Sequence, residues 1–184
     1  MAGLTNRAYL AGPDIHHPQA AEIARNKHAI CEKYGIVGIS PLIAAPSDAP
    51  NDPRSRAMAR FHANLDTIRA CQVLIANMTP FRGPSMDGGT VLEMGFMLGL
   101  GRPVVGYSLD NQSYTERLER LHMVFEEPLN RRDDLLQAPD GLRVEDYGLG
   151  DTFMVACAAL SGPAPIAHDF EESVRWARRL IDKP

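Results

Sequence analysis

Four short, mainly apolar runs constrain the fold of this chain more than any other feature. The runs lie at residues 7–12, 36–40, 71–76 and 103–107, and segments with the apolar spacing of helices separate them. Strands that are apolar on both faces, alternating with helices, are typical of a parallel sheet that is covered on both sides. The runs therefore predict the four strands of an α/β protein.

The segments between and after the runs predict the rest of the architecture. Apolar residues recur at helical spacing at residues 18–34, 54–70, 147–160 and 169–181. Residues 79–101 are a loop rich in Pro and Gly followed by a run that is apolar on every side, which predicts a buried helix. We expect a loop at 42–53 and a polar, irregular insertion at about 108–143. No linker divides residues 1–184, so we predict a single domain with a flavodoxin-like (Rossmann-like) parallel sheet and helices on both faces.

Charge and composition exclude several classes of function. The net charge is −4, whereas a protein that binds nucleic acid needs a basic face. No apolar run approaches membrane-spanning length and no signal peptide precedes the first strand, so we expect a cytoplasmic protein without a membrane partner. The cysteines Cys31, Cys71 and Cys157 are scattered in apolar contexts, as reduced core residues are. No spacing resembles a metal site, and we expect no cofactor.

Glu93 is the one ionisable residue of the apolar helix that ends the 79–101 segment. A lone carboxylate on a buried helix is costly to desolvate, so it needs a partner or a role. One interpretation is a capping box, in which Glu93 reaches back to the N–H of Thr90. The other is a ligand site, because Asp87 adds a second carboxylate and the pair Gly88-Gly89 lets the backbone approach a ligand. The residues alone leave both interpretations open.

The predicted topology brings several polar residues to one edge of the sheet. Ligands of parallel sheets bind beyond the carboxyl ends of the strands. The loops after Gly12, Ser40 and Asn77 should therefore converge there. The side chains that this convergence is expected to bring together are Tyr9, Asp14, Asp87 and Glu93.

Four blocks of the sequence resemble, in the correct order, those of the nucleoside 2-deoxyribosyltransferase family. They are YLAGPD at 9–14, the pair Ala63-Asn64 with Ile68 after it, the long block at 76–107, and VEDYGLGDTFM at 144–154. The resemblance implies transfer of a 2-deoxyribosyl group between nucleobases, through a covalent glutamyl-sugar intermediate and with retention at the anomeric carbon. It also implies nucleosides and nucleobases as small-molecule partners, and a homo-oligomer, a dimer or larger, whose sites are shared between subunits.

The resemblance also implies a role for individual residues. It makes Glu93 the nucleophile, which must be ionised and which the positive end of its helix should favour in that form. Tyr9 is implied to orient this carboxylate, and Asp87 to bind the sugar hydroxyls. The other implied substrate-binding residues are Asn64 and Asp14 towards the base, Gly12, Gly89, and Thr152 and Met154 of the late block.

Simpler structural explanations exist for several of these residues. Tyr9 could be a strand tyrosine with a satisfied hydroxyl, and Asp87 could be an Asx turn or a helix cap. Asn64 could be an amide on a helix surface, and Asp14 could simply form a turn.

The chain departs from the family pattern where the family recognises base and sugar. The departures are His16 and His17 in place of an aromatic residue, Pro41-Leu42-Ile43-Ala44 in place of P-L-D-N, Gln72 in place of aspartate, and Asp151-Thr152-Phe153-Met154 in place of D-N-L-M. The reaction type is therefore better specified than the substrate. Two alternatives stay open: an N-glycosidase that hydrolyses (deoxy)nucleosides or nucleoside 5′-monophosphates, and a non-catalytic nucleotide-binding module.

Overall fold

A four-stranded parallel sheet forms the centre of the protein. The computed structural model describes residues 6–41, 52–133 and 135–182. The strand order is β2-β1-β3-β4, with all three pairs parallel. The strands are β1 (Arg7–Ala11), β2 (Val37–Ile39), β3 (Val73–Asn77) and β4 (Val104–Tyr107). Three of them lie within the predicted apolar runs and β3 ends one residue beyond its run, at Asn77, so the predicted α/β class with a parallel sheet is confirmed.

Helices cover the sheet on both sides. Within the described ranges they are α1 (Ala20–Lys33), α2 (Pro53–Arg69), α3 (Gly88–Gly99), α4 (Tyr114–Val124), α5 (Phe153–Leu160) and α6 (Phe170–Asp182). The helix expected over 147–160 begins only at Phe153. The residues before it form a loop. In this loop Gly148 has a positive φ of 64°, a left-handed conformation that a regular helix does not contain.

Alternation along the strands separates two hydrophobic cores. Successive side chains of a strand point to opposite faces. Ala8 and Leu10 of β1 therefore pack with α1 and α6, whereas Tyr9 and Ala11 pack with α2, α3 and α5. Because β1 and β3 are buried on both faces, nearly every residue in them must be apolar. Fully burying one large aliphatic side chain stabilises the fold by about 2 kcal/mol.

Helix α3 is not buried on every side, contrary to the expectation from its composition. Met94 and Met97 lie in the core, but the side chain of Leu92 is 56% exposed and that of Leu100 is 38% exposed. The helix packs on β3 and between α2 and α5, which leaves its outer side uncovered. An apolar strip on the protein surface results.

The segment 108–143, expected to be irregular, contains regular structure. Besides α4 it holds an antiparallel sheet of β5 (Asn130–Arg132), β6 (Leu135–Gln137) and β7 (Arg143–Val144). Helix α4 starts at a capping box, in which the Ser113 hydroxyl accepts from the Glu116 N–H and the Glu116 carboxylate accepts from the Ser113 N–H. The small sheet buries Leu136 and Val144. The capping box and this burial stabilise regular structure in a segment whose polar composition did not predict it.

Three further expectations concern the cysteines, the loop at 42–53 and membrane-spanning segments. Cys31 and Cys71 are buried as expected, but Cys157 is exposed on α5. The predicted loop at 42–53 falls almost wholly outside the described residues, and so do Leu42, Ile43 and Ala44. No helix in the described ranges has the length and apolar character needed to cross a membrane.

Candidate active site

The centre of the candidate site is a hydrogen bond between Tyr9 and Glu93. The Tyr9 hydroxyl donates to Oε1 of Glu93 over 2.6 Å, although 84 residues separate the two in sequence. Tyr9 lies on β1 and is completely buried, while Glu93 is half-buried on α3. The pairing arises because β1 directs Tyr9 to the face on which α3 packs. Two residues that the sequence predicted to converge are therefore in direct contact.

The surroundings of Glu93 favour its neutral form. Burial raises the pKa of Glu93 from its usual 4.5 to about 7; the hydrogen bond from Tyr9 opposes this rise and the negative charge of Asp87 adds to it. We expected the positive end of the helix to keep this carboxylate ionised. However, α3 begins at Gly88, so Glu93 is its sixth residue, and the helix dipole acts mainly within the first turn.

Asp87, rather than Glu93, caps helix α3. Oδ2 of Asp87 accepts from the backbone N–H of Thr90 over 2.8 Å and from its hydroxyl over 2.9 Å. The capping box of Thr90 and Glu93 is therefore absent, because the helix starts two residues before Thr90. A Cβ on Gly89 would lie 3.0 Å from Oδ2 of Asp87, so glycine lets the capping carboxylate fold closely over the helix end.

Asp151 and Arg117 hold the loop that precedes α3. Asp151 is buried and accepts from the Ser85 hydroxyl over 2.6 Å and from the Met86 N–H over 2.8 Å. The Arg117 guanidinium, also buried, donates to the backbone carbonyls of Pro84, Gln112 and Gly150. Both residues were missed as parts of the site. The late sequence block contains Asp151, but no local pattern marks Arg117, which bonds to backbone carbonyls of separate loops and is ion-paired with Asp110.

A second polar cluster surrounds Asp14 at the carboxyl ends of the strands. Asp14 is ion-paired with Lys27 of α1 and accepts from the Asn77 amide over 3.3 Å. Lys27 also donates to the Tyr107 hydroxyl over 2.7 Å. A Cβ on Gly12 would lie 2.8 Å from Cβ of Asn77, so only glycine permits this close approach of β1 and β3. The sequence did contain a signal for Lys27, which occupies a position at helical spacing on the apolar side of α1.

The remaining predicted site residues lie on α2 and at the start of α5, and His16 lies in the loop after β1. Asn64 is half-buried on α2, which packs against α3. Thr152 stands at the N-terminus of α5, and Met154 is 69% exposed beside it. The ring of His16 stacks on Phe81, with centroids 5.4 Å apart and an angle of 14° between the planes.

The Gln72 departure has a structural explanation. Its Oε1 accepts from the Arg7 N–H over 2.7 Å, at the amino end of β1.

In the described part of the chain, no group of three or more His, Cys, Asp or Glu side chains could hold a metal ion.

Comparison with known proteins decides the family. A sequence model described as nucleoside 2-deoxyribosyltransferase matches residues 8–154, which is most of the chain. The chain belongs to the nucleoside 2-deoxyribosyltransferase family. The match includes Tyr9, Asp14, Asp87 and Glu93.

Similar proteins extend this result. An uncharacterized protein of Schizosaccharomyces pombe is 32% identical over 114 residues, which cover 60% of this chain and only 53% of that relative. Among solved structures, a 2-desoxiribosyltransferase from Leishmania mexicana has a TM-score of 0.65 at 24% identity, covering 95% of this chain and 97% of that one. A conserved protein from Enterococcus faecalis has a TM-score of 0.56 at 16% identity, covering 95% and 98%. The protein therefore shares its α/β fold with these two structures.

Proposed function

We propose that this protein transfers the 2-deoxyribosyl group of a deoxynucleoside from one nucleobase to another. The observation that carries the proposal is the contact of the Tyr9 hydroxyl with Oε1 of Glu93, because it presents a carboxylate in a fixed orientation. Family membership supplies the class of substrate.

The reaction is a double displacement at the anomeric carbon. An oxygen of ionised Glu93 attacks that carbon while the bond from carbon to the base nitrogen breaks, and the base leaves with the bonding electrons and takes up a proton from solvent. A nitrogen of the second base then attacks the same carbon, releases ionised Glu93, and loses its own proton to solvent. Two inversions give overall retention, as in retaining glycosidases.

Tyr9 is suited to orient the nucleophile throughout this sequence. Burial and the neighbouring Glu93 raise the pKa of the Tyr9 hydroxyl far above its usual range, so it stays a neutral donor. Its bond to Oε1 fixes the rotamer of Glu93 and leaves Oε2 to approach the sugar.

The other predicted residues surround this centre in our proposal. Asp87 accepts from a sugar hydroxyl through Oδ1, since the two bonds of the helix cap both use Oδ2. Asn64 and Asp14 face the base, and Gly12 and Gly89 let the backbone approach the ligand. Thr152 and Met154 complete the site of a neighbouring subunit.

Base exchange is the direct test of this function. Incubation of the protein with deoxyinosine and adenine should yield deoxyadenosine and hypoxanthine, separated by chromatography, and proton NMR should show the β anomer. Release of hypoxanthine without deoxyadenosine would instead indicate the N-glycosidase, in which water resolves the intermediate. An α product would contradict the double displacement, and no reaction with any deoxynucleoside would favour a non-catalytic binding module.

We also propose that the protein is at least a dimer, held together by the apolar strip of α3 and its neighbours. Large apolar side chains are exposed along this side of the molecule, whereas soluble monomers rarely expose extended apolar patches. They are Met58, Phe61, Leu92, Leu100, Phe153 and Met154, each 38% to 69% exposed.

Light scattering should therefore give at least twice the mass of one chain. Leu92→Asp should dissociate the assembly, because it buries a charge in the interface. The control is Leu142→Asp, which changes another exposed leucine, 69% against 56% for Leu92, beside β7 and should leave the mass unchanged. A fully active wild-type monomer at assay concentration would contradict the proposal.

A further inference from the structure

The ion pair of Lys27 and Asp14 is one of two largely buried ion pairs among the described residues; the other is that of Arg117 and Asp110. The Lys27 side chain is only 13% exposed and that of Asp14 is 28% exposed, whereas the other ion pair of α1, Lys33 with Glu171, is 65% and 38% exposed. The Lys27 ammonium also lies 5.0 Å from the centre of the Phe170 ring.

Burial of this ammonium has an energetic cost that the fold alone does not explain. Burial lowers the pKa of Lys27, and the charge of Asp14 only opposes that effect. Well-packed apolar residues in place of a buried ion pair are often as stabilising or more so. Stabilisation of the fold therefore does not explain why this position holds a buried ion pair. A role at the site explains it better.

The location of Asp14 supplies such a role. Asp14 follows β1 at the carboxyl edge of the sheet, where ligands of parallel sheets bind. Its carboxylate lines two cavities of different size. The first, of about 10 Å³, is too small for a base and also contacts Lys27 and Ser40. The second, of about 250 Å³, is lined by the loop after β1, Ile23 and Phe81. A flat ring with a polar edge matches the apolar walls of the second cavity next to one charged acceptor.

We propose that Lys27 is a positioning residue for nucleobase recognition, which holds the Asp14 carboxylate directed towards the base. The inference rests on the proposed function only for the choice of a nucleobase as ligand. Lys27 is fixed in turn by the Tyr107 hydroxyl, and the Asn77 amide steadies Oδ1 of Asp14. Three side chains from α1, β3 and β4 thus determine the orientation of one carboxylate.

The chemistry of this carboxylate predicts which bases it selects. An ionised carboxylate accepts hydrogen bonds and cannot donate them. Adenine offers an exocyclic amine that can donate, whereas unsubstituted purine has the same rings without that amine. A hydrogen bond to a charged group is among the stronger ones in proteins, so its loss should weaken binding by about tenfold or more.

Calorimetric titration with adenine and with purine tests the inference without requiring turnover. The wild type should bind adenine at least about tenfold more tightly than purine. Lys27→Met should reduce that ratio to less than about threefold, because Asp14 loses the partner that holds it in place. Lys33→Met removes the exposed ion pair of the same helix and should keep the ratio of the wild type. Lys27→Arg should restore most of the selectivity.

Kinetics supply a readout that a purely structural role would not change. With adenine as acceptor, Lys27→Met should raise KM by about tenfold while kcat at saturating base stays within about twofold. If Lys27→Met does not fold, as judged by thermal melting, Lys27→Gln is the second variant. Its shorter and neutral side chain no longer makes the charged contact with Asp14, so the same loss of selectivity is expected.

The outcomes separate this inference from the proposed function. An unchanged ratio of adenine to purine affinity in a folded Lys27 variant, or no binding of adenine by the wild type, would overturn the inference. Selectivity that depends on Lys27 in a protein that does not exchange bases would overturn the proposed function alone.

Discussion

Replacing Glu93 by glutamine is expected to lower kcat/KM for base exchange by at least about a thousandfold, which is about 4 kcal/mol of activation free energy. The amide can still accept the hydrogen bond of Tyr9, but it cannot form the ester with the sugar. Chromatography of the exchange reaction measures the loss. Mass spectrometry of the wild type, quenched during turnover, should show a deoxyribosyl adduct on the peptide that contains Glu93.

The same substitution should leave the fold intact, which separates chemistry from stability. The pKa of Glu93 is raised to about 7 in the folded protein, above the value of 4.5 for an unperturbed glutamate. The folded state therefore binds more protons than the unfolded state between these values, and wild-type stability falls as pH rises through that window. The loss has an upper limit of about 3 kcal/mol, and Glu93→Gln should lack this slope.

Thermal melting at pH 5 and pH 8 measures this difference. Glu119→Gln, on an exposed position of α4, is the matched control and should behave as the wild type does. The activity of the wild type should also rise with pH towards and through about 7, since only ionised Glu93 attacks the sugar. Near-normal turnover in folded Glu93→Gln would overturn the nucleophile assignment.

Discrimination against nucleoside 5′-monophosphates is the second large effect that we expect. We place Asp87 near the 5′ end of the sugar, where a free hydroxyl can donate to its carboxylate. Two unit negative charges about 4 Å apart repel by roughly 4 kcal/mol at an effective dielectric constant of 20, before screening. We therefore expect kcat/KM for deoxyadenosine to exceed that for its 5′-monophosphate by at least about tenfold.

The structure engages one of the two nearby groups, Ser85 and Arg82, that could offset this repulsion. The Ser85 hydroxyl donates to Asp151, and the Arg82 guanidinium lies over the Phe81 ring, 4.7 Å from its centre. The Ser85 hydroxyl is therefore not free to donate to a phosphate, whereas the exposed Arg82 keeps its N–H donors and can offset part of the repulsion.

Asp87→Ser should narrow the gap between nucleoside and monophosphate by removing the negative charge. Serine is also a good N-cap residue, so the start of α3 should persist. Asp52→Ser is the matched control, because Asp52 caps α2 through the backbone N–H groups of Arg54 and Ser55. This control should leave the preference unchanged, and a wild-type enzyme that prefers the monophosphate would refute the placement of Asp87.

Local patterns in the sequence predicted the sheet and the identity of the central residues. The apolar runs predicted the strands because β1 and β3 are buried on both faces, which excludes polar side chains there. The resemblance directed attention to Glu93 and Tyr9, and the structure places them in contact. The roles of these two residues stay predictions until exchange is measured.

Only the tertiary structure decided which partner each polar group has. Local spacing fits a cap by Asp87 and a capping box of Thr90 and Glu93 equally well, and the first helical residue determines which one forms. Lys27 pairs with Asp14 because β1 and α1 pack together at one edge of the sheet. The raised pKa of Glu93 likewise follows from burial, which depends on the packing of α3. Hydrophobic periodicity is a property of neighbouring residues, whereas hydrogen-bond partners and desolvation depend on segments that only folding brings together.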